Sequence, residues 1–198
     1  MRAALLLLMV AALRGQGLVE LKTLSPKIPL DIRYATANNF TGRAVYDEAR
    51  CFLQWPAAEA LLKVQGELRR QGLSLKIYDC YRPLSVQKKF WALVPDERYV
   101  ADPAKGSRHN RGMAVDLTEV DGSGRELRMP SPYDDFTERA HRDFMNLPAE
   151  SIRNRERLEK VMVKYGFEPF PTEWWHFDFR GWEAYPVMDV PFEKIRSR

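Results

Sequence analysis

Histidine and cysteine are scarce in this chain, three and two residues respectively out of 198. Any site that needs imidazole must draw on His109, His141 and His176, and Cys51 with Cys80 leaves room for one internal bridge at most. The sequence also lacks repeats and low-complexity tracts, which excludes solenoids and arrays and makes disorder an affair of the ends. No apolar run approaches the roughly 20 residues a membrane-spanning helix needs. Basic charge lacks concentration: the formal net charge is +4, but 31 Lys and Arg are interspersed with 27 Asp and Glu. A nucleic-acid surface would gather them into a stripe, so no nucleic-acid partner is expected. The densest basic run, residues 153–164, contains Glu156 and Glu159 and reads as a solvated helix face.

What is present fits one globular domain. A chain of 198 residues, 45% hydrophobic and 29% charged, can bury a core without metal or disulfide staples. Met1-Arg2 precedes an unbroken apolar run, residues 3–13, followed by Arg14-Gly15-Gln16-Gly17. A positive start, an apolar core of this length and small residues behind it describe a secretory signal peptide. Residues 1–17 are therefore expected to be a leader and residues 18–198 the working domain, exported to the periplasm or beyond and not held in the membrane once the leader is cut. In an oxidising compartment Cys51 and Cys80 are either a disulfide or two buried thiols.

Periodicity gives the elements. Residues 18–30 read as extended, because Pro26 and Pro29 forbid a helix. Helices are expected over 56–71, where Ala57, Ala60, Leu61, Val64 and Leu68 recur at helical spacing, and over 84–93, 137–146 and 151–165. Strands are expected over 73–78, 167–170 and 174–179, with a hairpin over 113–129 around the turn at Asp121-Gly122. Strands grouped with intervening helices, without strict alternation, predict an α+β domain with a mainly antiparallel sheet flanked by helices.

Two stretches carry chemistry. Gly106-Ser107-Arg108-His109-Asn110-Arg111-Gly112-Met113-Ala114-Val115-Asp116 places a histidine near an aspartate set in an apolar run, where a carboxylate is costly to bury without a partner. Glu173-Trp174-Trp175-His176 supplies a second imidazole and a spare carboxylate. His109, Asp116 and His176 would hold one zinc ion per chain and leave a fourth position for water. Two geometric demands follow: Gly112 must bend the chain so that His109 turns back toward Asp116, and the last strand must begin after Glu173. Glu173 would move the proton, and Arg82, at a strand end fixed by Pro83, would face the negative charge of a tetrahedral transition state.

The segments Ser107-x-His109-x-x-Gly112-x-Ala114-x-Asp116, Glu173-x-Trp175-His176, Asp79-x-Tyr81-Arg82-Pro83 and Tyr34-Ala35-Thr36-x-x-Asn39-Phe40-Thr41-Gly42 resemble the D-alanyl-D-alanine dipeptidases of the vancomycin-resistance type. The likeness extends in one order over about residues 28–190. It implies an α+β zinc-peptidase fold shared with zinc D,D-carboxypeptidases, hydrolysis of free D-Ala-D-Ala, Glu173 as base and Arg82 as the transition-state arginine. It also implies that Ser107 and Asp134 line the substrate pocket, with Asp134 pairing the dipeptide's ammonium group. His141 has no ligand role in that pattern. Two other readings of the same residues are a D,D- or L,D-carboxypeptidase acting on longer wall peptides, and a zinc-stabilised module that binds wall peptide without cutting it.

Overall fold

The computed structural model describes residues 17–196, so the expected leader, apart from Gly17, lies outside the described residues. Two sheets organise the chain. A small antiparallel pair joins β1 (Leu18–Glu20) to β2 (Phe52–Gln54). The main sheet has four antiparallel strands in the order β3 (Ser74–Asp79), β4 (Ala114–Val120), β6 (His176–Phe179), β5 (Phe167–Pro169). Three longer helices accompany them: α2 (Trp55–Arg70), α3 (Leu84–Leu93) and α4 (Ala149–Lys164). A single turn, α1 (Leu21–Leu24), follows β1. This is the expected α+β architecture.

The register of the main sheet separates a helical face from a working face. Ile77 is opposite Leu117 and Val115 opposite Phe177, so these apolar side chains share one side of the pleat. Glu119 points the same way, and its carboxylate meets Arg157 of α4 at 2.5 Å, which marks this as the side that α2 and α4 cover. Leu61, Val64 and Leu68 of α2 and Leu158, Val161 and Met162 of α4 are buried in the same core. Burying each such side chain contributes about 1.5–3 kcal/mol. Asp79, Asp116 and His176 are cross-strand partners in a row over β3, β4 and β6 and lie on the opposite side. β4, central and buried at all seven residues, carries Asp116 in the middle of that row.

Three expectations about elements are corrected. Residues 18–30 are not extended throughout, since α1 inserts a helical turn before the prolines act. The hairpin over 113–129 is confined to its turn end, where Val120 bridges Glu126, because β6 takes the edge opposite β3 over residues 114–116. Residues 137–146 form only a 3-10 turn at Glu138–Ala140. Pro148 then starts α4, whose apolar face supplies the burial that 137–146 lacks. Among the described residues no helix is long and apolar enough to cross a membrane.

Candidate active site

Both geometric demands of the sequence are met. His109 opens a 3-10 turn, His109–Arg111, that ends at Gly112 with φ +67°, and the chain then enters β4. A Cβ on Gly112 would stand 2.5 Å from Leu18 Cδ2, so both the left-handed backbone and the close approach call for glycine. β6 begins at His176, after Glu173. His109 thereby comes back over the working face of the sheet, beside Asp116 and His176.

Three atoms converge. His109 Nε2, Asp116 Oδ1 and His176 Nδ1 lie 3.1, 3.3 and 3.0 Å apart pairwise. Tetrahedral bonds of about 2.0–2.1 Å to zinc place ligand atoms roughly 3.3 Å apart, so the triangle has the right size. The outer nitrogens show why these atoms need a cation. His109 Nδ1–H donates to the Cys80 carbonyl at 2.6 Å, and His176 Nε2–H donates to Asp178 Oδ1 at 2.8 Å. With these tautomers each imidazole turns a lone pair inward, toward the other and toward Asp116, so that three acceptors face one another and call for a cation or a proton between them. A hydrogen bond from the outer ring nitrogen fixes the tautomer of a metal-binding histidine. Tyr133 O–H donates to the other oxygen of Asp116 at 2.8 Å. In the chain alone a proton is drawn to the same place. Burial lowers the His176 imidazolium, but Asp178 and Asp116 outweigh it and push it up to about 10. Burial would raise the Asp116 carboxyl, yet the two imidazoles hold it far below the usual range.

Around this centre lies a small cavity of about 70 Å³, lined among others by Arg82, Ser107, Asp134, Glu173 and the aromatic rings of Tyr34 and Phe40. Glu173 Oε2 stands 3.9 Å from His176 Nδ1, outside the triangle but beside it. Burial pushes its carboxyl up to about 8, countered by His176 and reinforced by Asp116. Arg82 is held by Asp79 Oδ2, at 3.1 Å from Nε and 2.8 Å from Nη2, and by Gln87 Oε1 at 2.8 Å from Nη1. Of the five N–H groups of a guanidinium, two remain for a pocket occupant. Ser107 Oγ accepts the His109 backbone N–H at 3.2 Å and keeps its own proton free to donate.

Asp134 is the one non-glycine residue with positive φ, +61°, among those described. Such a backbone in a pocket wall is a place where local strain is tolerated for position. Tyr34 O–H and the Phe40 N–H hold its two oxygens at 3.0 Å each. Burial nevertheless pushes its carboxyl up to about 7, since those two bonds only partly offset desolvation. The disulfide alternative for the cysteines is the one found: Cys51 and Cys80 are bonded, with Cα atoms 5.2 Å apart.

All seven residues read from the sequence as ligands, base, arginine and pocket wall line the one cavity, and His141 does not. Sequence reasoning missed the supporting groups. Asp178 was detectable, since His176-x-Asp178 on a strand puts both side chains on one face. Tyr133 and the Cys80 carbonyl carry no such signal, because their partners are 17 and 29 residues away and meet them only in the folded chain; Gln87 reaches Arg82 from α3, 5 residues on across the turn at Pro83.

An enclosed His–Asp–His triangle with an unattached carboxyl and a clamped guanidinium, on an antiparallel sheet, defines a metal-dependent hydrolase. The family model described as D-ala-D-ala dipeptidase matches residues 14–194. A D-alanyl-D-alanine dipeptidase of Escherichia coli (strain K12) is 40% identical, over 88% of this chain and 91% of its own length. One from Enterococcus faecium is 34% identical, over 81% and 91%. Among solved structures, an LD-carboxypeptidase is similar with a TM-score of 0.45 and 22% identity, covering 74% of this chain and 71% of that one. The chain belongs to the D-Ala-D-Ala dipeptidase family and is a metallopeptidase.

Proposed function

We propose that this enzyme hydrolyses the peptide bond of free D-Ala-D-Ala to two D-alanines, with one zinc ion held by His109, Asp116 and His176. The observation that carries the reading is the inward lone-pair triangle at 3.0–3.3 Å, sharing a cavity of about 70 Å³ with Glu173 and Asp134. Zinc at that point supplies Lewis acidity, polarising the scissile carbonyl and making water more acidic. Glu173 takes a proton from the attacking water as the C–O bond forms, and returns it to the amine nitrogen as the tetrahedral species collapses and the C–N bond breaks. Its position beside the triangle, and not in it, suits a group that must stay free to exchange a proton. The two uncommitted N–H groups of Arg82 face the negative charge that gathers on the carbonyl oxygen. Asp79 and Gln87 keep them in place, so no reorganisation is needed as that charge appears.

Asp134 pairs with the ammonium group of the dipeptide. An extended or acylated substrate would leave this carboxylate unpaired against the Phe40 and Tyr34 wall, which selects for a free N-terminus. Export is the second part of the proposal, with cleavage near residue 17. It is supported by the charged start and apolar run of residues 1–17 and by the Cys51–Cys80 disulfide, a bond that persists in oxidising compartments. Purified zinc-loaded enzyme assayed on D-Ala-D-Ala, and on a pentapeptide ending in it, tests the substrate. The expected result is turnover of the dipeptide with little of the pentapeptide, and faster cleavage of the longer peptide would replace this reading with a carboxypeptidase. Fractionation of cells making the full chain tests export, and a protein found wholly in the cytoplasm would refute it.

A further inference from the structure

The disulfide has a position that a plain staple would not need. Cys51 precedes β2 and Cys80 follows β3, so the bond links the small sheet to the main one. Both half-cystines are buried. At the same junction Tyr81 N–H donates to Phe52 O at 2.9 Å, and Arg82 N–H donates to His109 O at 3.1 Å. The Cys80 carbonyl is the acceptor for His109 Nδ1–H at 2.6 Å. Asp79, which clamps Arg82, is the preceding residue, and Arg82 itself is two residues on. One covalent bond therefore fixes the backbone of the segment that sets the His109 ring and carries the arginine.

We infer that the Cys51–Cys80 disulfide positions the metal centre: by anchoring the Cys80 carbonyl it holds His109 in the tautomer and orientation that present Nε2 to zinc, and opening it weakens metal binding in a chain that is still folded. The inference rests on the zinc reading above. Loop closure alone would stabilise the whole fold without preference for the site. The difference lies in what the metal feels, because a ligand's outer hydrogen-bond partner typically changes metal affinity about 10–100-fold.

The test compares zinc affinity, by competition with a chromophoric chelator, in the full chain, in a Cys51→Ala/Cys80→Ala variant and in a Leu68→Ala variant. Leu68 is a buried core residue of α2 outside the cavity lining, so its truncation destabilises the fold away from the site. The expected result is roughly 10-fold or greater loss of zinc affinity in the cysteine variant, with the Leu68→Ala variant binding as the parent does. Circular dichroism confirms that each is folded at the temperature used. As a second route, the parent is reduced, freed of reductant and shown to carry two titratable thiols. Its affinity should fall likewise and return on reoxidation. Zinc binding in the bridge-free protein as tight as in the parent, or weakened no more than in the Leu68→Ala variant, overturns the inference. A parent chain that binds no zinc overturns the metal reading and the inference together, and the two failures are told apart by that first titration.

Discussion

Glu173 and Asp134 are acids in one cavity whose surroundings give them different tasks. Burial raises both, Glu173 to about 8 and Asp134 to about 7, but Asp134 has two donors on its oxygens while Glu173 has the His176 imidazole for a neighbour. A cation on the three donor atoms would favour the charged form of Glu173 and bring it toward the range in which a base works near neutrality. Because Glu173 stands outside the triangle, Glu173→Gln should keep the metal and lose the reaction. Turnover is expected to drop about 10²–10⁴-fold with zinc content unchanged by elemental analysis. Asp134 makes a pH prediction with two signs. Its carboxylate form binds the dipeptide's ammonium, so KM should rise as pH falls below about 7. Stability moves in the opposite direction. A carboxyl raised from an ordinary value near 3.9 to about 7 in the fold makes the folded state hold the extra proton across that window. Its contribution thus destabilises progressively as pH rises from about 4 to about 7 and is complete above. Denaturation of the parent and an Asp134→Asn variant at a series of pH values should show a shallower loss of stability in the variant, with the remaining slope belonging to Glu173, which is raised in the same direction.

At the level of elements, the strongly periodic segments were readable and the weakly buried ones were not. The second and third helices were readable because apolar spacing, Pro56 in the first turn of one and Pro83 before the other mark them independently of any partner. Residues 137–146 had helix-like composition, yet in the fold they follow the segment that carries Asp134, and Tyr133 with its hydrogen bond to Asp116, and keep only one 3-10 turn. The hairpin failed for a similar reason: sequence alternation identifies a strand but does not say that both its edges are taken by distant chain. The bend at Gly112 was predicted from the ligand spacing alone, because a straight strand cannot bring His109 to Asp116. That bend can be tested. Gly112→Ala must place a side chain at φ +67° and against Leu18, at a cost of about 1–2 kcal/mol for the backbone alone. The variant should melt lower than the parent in a thermal scan. It should also bind zinc more weakly, since the same strain displaces the turn that carries His109.

For the molecule as a whole, the site is the seam where separate parts of the chain meet: the 79–82 segment, the turn at 109–111, β4 and the start of β6. The ligands could be found in the sequence because their identity and spacing constrain them; the groups that hold them could not, because Tyr133 and the Cys80 carbonyl become partners only through the packing of remote segments. A seam of this kind makes the metal part of the fold's stability. Without zinc, two inward lone pairs and a carboxylate face one another at 3.0–3.3 Å and are relieved only by taking up a proton or by moving apart. With zinc, native-state binding adds RT ln(1 + [L]/Kd), about 2.7 kcal/mol at free metal 100-fold above Kd. For a domain of this size each kcal/mol is worth roughly 2–4 °C, so chelation should lower the melting temperature by about 5–10 °C and zinc should restore it. The same experiment on a His176→Ala variant discriminates site binding from general salt effects. With one of the three donors gone and the His176–Asp178 bond lost, added zinc should no longer raise its melting temperature to the same extent. An equal rise in parent and variant would mean that the metal acts elsewhere on the protein.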